Sequence, residues 1–204
     1  MQDDLASLLH SLIACNPDQG IKGHAQHVLT FSPSDDTFPW SLLELVQCLA
    51  AHAEFATAEQ VLVHLFRMSS DFDYEKALAT QSLAESFFAV GQRDAANAWT
   101  QRAVQWAESV HENWRQAELL NRIANMLSAT HERPVADQIR QRAIAAAQAG
   151  EASANPQERI DSASVLWEIV QDLHTSGEHD RARATAHAIQ NPGKRQRALE
   201  SIEL

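Results

Sequence analysis

The sequence predicts an all-α protein built from antiparallel helix hairpins stacked in line. Three observations predict it. Alanine is about one residue in six, well above ordinary usage, while Gly and Pro number only 6 each in 204 residues. Apolar residues recur at helical spacing over most of the chain, and almost no stretch alternates with the β-branched bias of a strand. A short pattern of small and turn-forming residues also repeats with constant internal gaps.

Taken in order, the spacing predicts helices over 3–15, 22–30, 39–53, 55–69, 73–90, 92–109, 113–130, 133–149, 156–175, 178–190 and 193–203. Ala77, Ala84, Phe87 and Phe88 share one face of their helix, as do Leu120, Ile123, Ala124 and Leu127, and Leu166, Ile169, Val170 and Leu173. The boundaries carry their own chemistry. Asn155-Pro156-x-Glu158 combines a capping Asn, a proline suited to the first turn and an acid three residues after the cap. Asn191-Pro192 repeats the cap and proline, and Pro39 and Pro134 also suit first turns. Gly91 and Gly177 fall where a helix should stop and reverse. Ser32–Asp36 and Gly150–Asn155 read as linkers. The other connections are short, so neighbouring helices should pack antiparallel.

The internal repeat is carried by small residues. Ala84, Gly91, Ala96 and Ala103 are separated by seven, five and seven residues, and the same gaps recur at Ala124, His131, Ala136 and Ala143, at Val170, Gly177, Ala182 and Ile189, and at Val46, Ala53, Ala58 and Leu65. Large apolar residues keep step: Leu45, Leu83, Ile123 and Ile169 precede the first member by one, and Leu49, Phe87, Leu127 and Leu173 follow it by three. Copies start 38, 40 and 46 residues apart, so only the linkers differ in length. Two antiparallel helices joined by a tight turn approach closely near that turn, and small residues there admit the partner backbone. Neither helix of one hairpin can cover its own apolar face, so hairpins must stack.

This pattern resembles the tetratricopeptide repeat family, whose unit is a 34-residue helix hairpin with a turn Gly and two alanines in its second helix. The best copies are 77–110 and 163–196; 117–150 matches with His131 at the turn, and 39–72 with Ala53 there. The first-helix Gly of the family is Ala or Val in every copy, and the closing proline is missing. The resemblance covers residues 39–196 and implies a right-handed α-solenoid of four tetratricopeptide-like hairpins. Residues 1–38 then form a degenerate first hairpin or an N-terminal cap, and 197–204 a C-terminal capping helix, giving one domain overall.

Composition excludes several functions. The formal net charge is −11, a poor basis for binding nucleic acid or anionic lipid, both of which need a cationic surface. No apolar run reaches the ~20 residues of a membrane helix, and the start lacks the positive region of a secretory signal; the expected address is cytoplasmic. Cys15 and Cys48 lie in apolar helical runs and read as packing atoms. Histidine pairs at His24/His27 and His174/His179 lack a third ligand set by spacing, so neither a metal nor a cofactor is expected. No nucleophile elbow, phosphate loop or dinucleotide fingerprint is present, and no catalytic residue is assigned.

The resemblance places the first helix of each hairpin on a concave surface that in the family holds peptides. Carried onto this chain, that surface presents Trp40 and Gln47; Gln81, Glu85 and Phe88; Asn121 and Asn125; and Trp167, Gln171 and His174. Amides suit a peptide backbone and aromatics supply contact area. Lysines are absent from that set, and Glu85 and Glu118 would repel a carboxylate, so a neutral or basic segment is the expected guest. The expected function is therefore a protein- or peptide-binding adaptor or scaffold and not an enzyme. A self-associating structural protein, a small-ligand receptor and an unrecognised enzyme are the alternatives.

Overall fold

The computed structural model describes residues 25, 38–67 and 72–203. The expectations for 1–37, including His24, His27, Cys15 and the N-terminal cap, lie outside the described residues apart from Ala25, which is helical and buried. The described residues are all-helical, with no strand. They run as α1 (Phe38–Ala51), α2 (Phe55–Phe66), α3 (Asp73–Ala89), α4 (Arg93–Ser109), α5 (Asn113–Ala129), α6 (Arg133–Glu151), α7 (Pro156–Thr175), α8 (His179–Ala188) and α9 (Pro192–Ile202). The chain divides into two compact units between Trp106 and Ala107. In the first, α1 packs on α2 and on α3, and α2 on α3. In the second, each helix from α5 to α9 packs on the next, and α7 also packs on both α5 and α9.

One turn recurs four times and explains the sequence gaps. Ala53, Gly91, His131 and Gly177 all adopt left-handed backbone, with φ of 58°, 77°, 69° and 80°. The amide that follows each one donates to a carbonyl five residues back: Glu54 to Leu49 (2.9 Å), Gln92 to Phe87 (2.9 Å), Glu132 to Leu127 (3.0 Å) and Glu178 to Leu173 (2.8 Å). Four residues on, Ala58, Ala96, Ala136 and Ala182 donate to the carbonyls of those same residues and open the second helix. Each first helix thus ends in a bond that satisfies an orphan carbonyl, and the next begins at once. No neighbour lies within 4 Å of a Cβ built at Gly91 or Gly177, so glycine there serves backbone conformation and not space.

Burial follows the same register. Val46, Ala84, Ala124 and Val170 are fully buried, as are Ala58, Ala96, Ala136 and Ala182, and Leu65, Ala103, Ala143 and Ile189. Ala77, Ala117 and Ala163 are fully buried too. Small side chains at these positions let paired helices close on one another, and Leu45, Leu83, Ile123 and Ile169 fill the layer beside them.

One local reading needs correction. Gly150 is not linker: α6 continues through it to Glu151, and Gly150 is buried. A Cβ there would lie 2.0 Å from Ser162 Oγ and 3.1 Å from Asn113 Cβ, so the glycine lets α6 approach α7 and the start of α5. Asn155 caps α7 through the Gln157 amide (3.0 Å), while Glu158 accepts from Ser153 Oγ (2.6 Å) and from Asn113 Nδ2 (2.8 Å). Those bonds from Ser153 and Asn113 hold its carboxyl below the ordinary range. Asn191 caps α9 as its sequence suggests, accepting from the Lys194 amide at 3.0 Å.

Candidate functional site

The strongest concentration of polar side chains lies in the second unit, where α5, α6, α7 and the start of α8 meet. Asn121 and Asn125 stand one turn apart on α5, facing Asp172 of α7. Both amide nitrogens donate to the same oxygen, Asp172 Oδ2, at 2.7 Å. Asn125 Oδ1 in turn accepts from Arg140 of α6 at 2.8 Å. Arg140 is 1% exposed, and its guanidinium also reaches Ser128 Oγ (3.3 Å) and Glu178 Oε1 (3.4 Å). Arg181 bridges Glu178 and Asp137. Burial opposes the Arg181 charge, but the hydrogen bond to Asp137 and the field of Glu178 outweigh it and hold the guanidinium protonated.

Some of these groups border a cavity of about 650 Å³ between the α5–α6 and α7–α8 turns. Asn125, Ser128, Asp137, Asp172 and Glu178 form much of its wall, with Arg133 also lining it. Apart from Ala129, its lining residues are polar or charged. It offers recognition of polar groups, and it contains no nucleophile paired with a base in the manner of covalent catalysis. Among the described residues no group of three or more His, Cys, Asp or Glu side chains could hold a metal ion.

The other groove candidates divide by unit. In the first, Gln47 is exposed and donates to Ser82 Oγ of α3 at 3.2 Å. Glu85 is exposed and Phe88 half-buried. Gln81 is only 7% exposed, with its Oε1 unpartnered, so it does not face a guest as the helix register suggests. The Trp40 side chain lies outside the described residues.

In the second unit, Asn121 is likewise closed off, at 6% exposure. Gln171 donates to Ser201 Oγ of α9 at 2.5 Å. Trp167 is half-buried, with the Lys194 ammonium 5.7 Å from its ring centroid and its own Nε1 unpartnered. His174 and His179 bring their Nδ1 atoms to 3.1 Å across the Gly177 turn. Gln47, Asn121 and Asn125 therefore direct their amide donors to the adjoining first helix, and Gln171 directs its own to α9, a use the sequence does not disclose.

The field along this face is negative. Partial burial raises the Glu168 carboxyl above its ordinary value, and Glu118 and Asp172 push it further, with Lys194 opposing them. Sequence reasoning passed over Asp172, Arg140, Asp137 and Glu178. For Arg140 a signal exists. Counting four residues from the second-helix alanine gives Leu62, Thr100, Arg140 and Ala186, all buried, so the register places a guanidinium in a slot that elsewhere holds Leu, Thr or Ala. Comparison of the chain with protein-family models, with curated proteins and with solved structures gives no match.

Proposed function

We propose that this chain is a protein- or peptide-binding adaptor: a tetratricopeptide-like, right-handed solenoid whose first helices α1, α3, α5 and α7 present an inner surface to a guest. The observation that carries this reading is the fourfold recurrence of one turn at the repeat register, with left-handed backbone at Ala53, Gly91, His131 and Gly177. A unit repeated with the same turn and the same buried alanines is the basis of stacked-hairpin proteins, which bind through the surface their repeats share. Packing of α1 on α3 and of α7 on both α5 and α9, each within its own unit, supports the same arrangement.

The guest is a neutral or basic segment, because Glu85 is exposed in the first unit and Glu118, Glu168 and Asp172 gather in the second. The chain acts by holding a partner, in the cytoplasm, and catalyses no reaction of its own. Selection of random twelve-residue peptides on the immobilised full chain tests this. Enriched peptides should share a motif and bind at least about tenfold more weakly to Glu85→Lys or Phe88→Ala, as expected for loss of one well-placed contact, with unchanged melting temperatures. Failure to enrich any peptide, or affinities indifferent to both substitutions, would refute the reading.

A further inference from the structure

The geometry points to the cavity at Asp172 as the seat of a lysine or arginine side chain from the guest, with the Asp172 carboxylate as its counter-ion. The inference rests on the peptide-binding reading and adds to it the chemistry of one subsite.

Three carboxylates border the cavity, and two are already matched: Asp137 by Arg181, and Glu178 by both Arg181 and Arg140. Asp172 is different. Its Oδ2 takes two amide donors, both neutral, and no Lys, Arg or His forms an ion pair with it among the described residues. Buried Arg140 is linked to it through Asn125. A half-buried carboxylate oriented by neutral donors loses little freedom when a cation arrives, which makes it a preorganised acceptor.

A second observation concerns the same amides. Asn121 is 6% exposed and its Oδ1 has no partner, although its Nδ2 holds Asp172. That oxygen is shut away from the cavity, whose wall instead sets the Ser128 and Thr175 hydroxyls around the carboxylate, and these oxygens suit a head group with several donors, which an ammonium or guanidinium supplies. Glu118 and Glu168 add negative potential on the same side. A carboxylate guest meets the reverse situation. The asparagine pair that would grip it already grips Asp172, tethered in the same chain and present at high effective concentration. Arg133, exposed on the rim, is left to donate to a guest carbonyl.

The test uses the full-length, nitrogen-15-labelled chain and three acetylated, amidated pentapeptides with two alanines on each side of a central arginine, citrulline or norleucine. Citrulline keeps the shape and most donors of arginine and removes its charge. The arginine peptide should shift the side-chain amide signals of Asn125 and Asn121 saturably, and the other two should not. Asp172→Asn should weaken arginine binding about tenfold. Ala129→Leu, which adds bulk at an exposed position of the cavity wall and removes no hydrogen-bonding side chain, should block it with an otherwise unchanged spectrum, and it carries the test if Asp172→Asn fails to fold. Equal shifts from citrulline and arginine, no saturable shift, or full binding to Ala129→Leu would overturn the inference. Selected peptides that bind without needing a basic residue would overturn it while leaving the adaptor reading intact. Arginine-specific shifts with no peptide ever enriched would do the opposite.

Discussion

The recurring left-handed turn makes a paired prediction of opposite signs. At Ala53 and His131 an L-residue holds φ near +60°, where its Cβ crowds the following carbonyl; at Gly91 and Gly177 glycine holds the same backbone with nothing within 4 Å of an added Cβ. The left-handed conformation costs an L-residue about 1–2 kcal/mol. Glycine escapes that cost but has a more disordered unfolded chain, which returns about 0.4–1 kcal/mol. The difference leaves roughly 0.5–1 kcal/mol per site. Ala53→Gly and His131→Gly should therefore stabilise by about that amount, and Gly91→Ala and Gly177→Ala should destabilise by about the same. Ala53 and His131 are both exposed. Ala53 and Gly91 lie in the first unit and His131 and Gly177 in the second, so each unit contains one change of each sign. Urea denaturation followed by far-ultraviolet circular dichroism reads all four, with unchanged slopes as the check that only the native backbone is affected. If Ala53→Gly and His131→Gly instead destabilise by about 1 kcal/mol, as glycine does inside a helix, the turns are not left-handed and the shared register of the hairpins falls with them.

Three other substitutions probe single contacts. Gly150→Ala should destabilise by about 1–3 kcal/mol through overpacking, because its Cβ would sit 2.0 Å from Ser162 Oγ; adding Ser162→Ala should recover only part of the loss in thermal denaturation, since the Ser162 Cβ contact at 2.9 Å remains. Glu151, 4% exposed at the end of α6, accepts from the Gln190 amide at 2.9 and 3.1 Å and from the Asn191 amide at 3.1 Å; Glu151→Ala should remove about 2–4 kcal/mol, with hydrogen exchange rising first in α9. Glu168 tests the acidic face. Its folded carboxyl is raised, so the folded chain holds the proton more tightly than the unfolded chain does, and stability is gained as pH falls through the folded value and absent at neutral pH. Glu168→Gln should therefore stabilise by a few tenths of a kcal/mol at pH 7, a small effect because the site is exposed, and the gain should shrink as pH falls toward the titration of Glu168; a gain that grows in acid would contradict the assignment.

How much of this was legible in the sequence depends on the range of the constraint involved. The turns were legible because left-handed backbone and close helix approach each restrict residue type at one position, and the two restrictions are tied by fixed gaps: Gly91 stands five residues before Ala96, as His131 stands five before Ala136. The capping of α7 and α9 by Asn155 and Asn191 is local in the same way. The polar site was not legible, because Asn121 and Asp172 are 51 residues apart in sequence and meet only once α5 lies beside α7. Helical register assigns Asn121 to a face of α5 but does not say whether an acceptor waits there. Gly150 was misjudged for a related reason: after a run of alanines it resembles the end of a helix, and only the position of Ser162 shows that a close approach demanded it.

The hydrogen bonds these amides make between helices also bear on where guest affinity can come from. Gln47 to Ser82, Asn121 and Asn125 to Asp172, and Gln171 to Ser201 are made in the chain alone. Each contributes roughly 0.5–1.5 kcal/mol to the fold and, being present before and after binding, adds nothing to affinity unless it breaks. A guest that took hydrogen bonds from these amides would first have to displace a tethered partner and would finish with a similar bond, so amide recognition of a peptide backbone gives little net gain here. Affinity then falls to the groups the internal bonds leave unsatisfied or uncovered. Those are the exposed Glu85, the half-buried Phe88 and Trp167 rings, and the Asp172 carboxylate, which two amides orient without neutralising. An inner face built this way should discriminate by charge and by aromatic contact. A variant that frees Asn125 by Asp172→Ala should gain no affinity for neutral peptides even though it exposes two more amide donors; a measured gain would show that those amides, and not the carboxylate they hold, are what a guest reads.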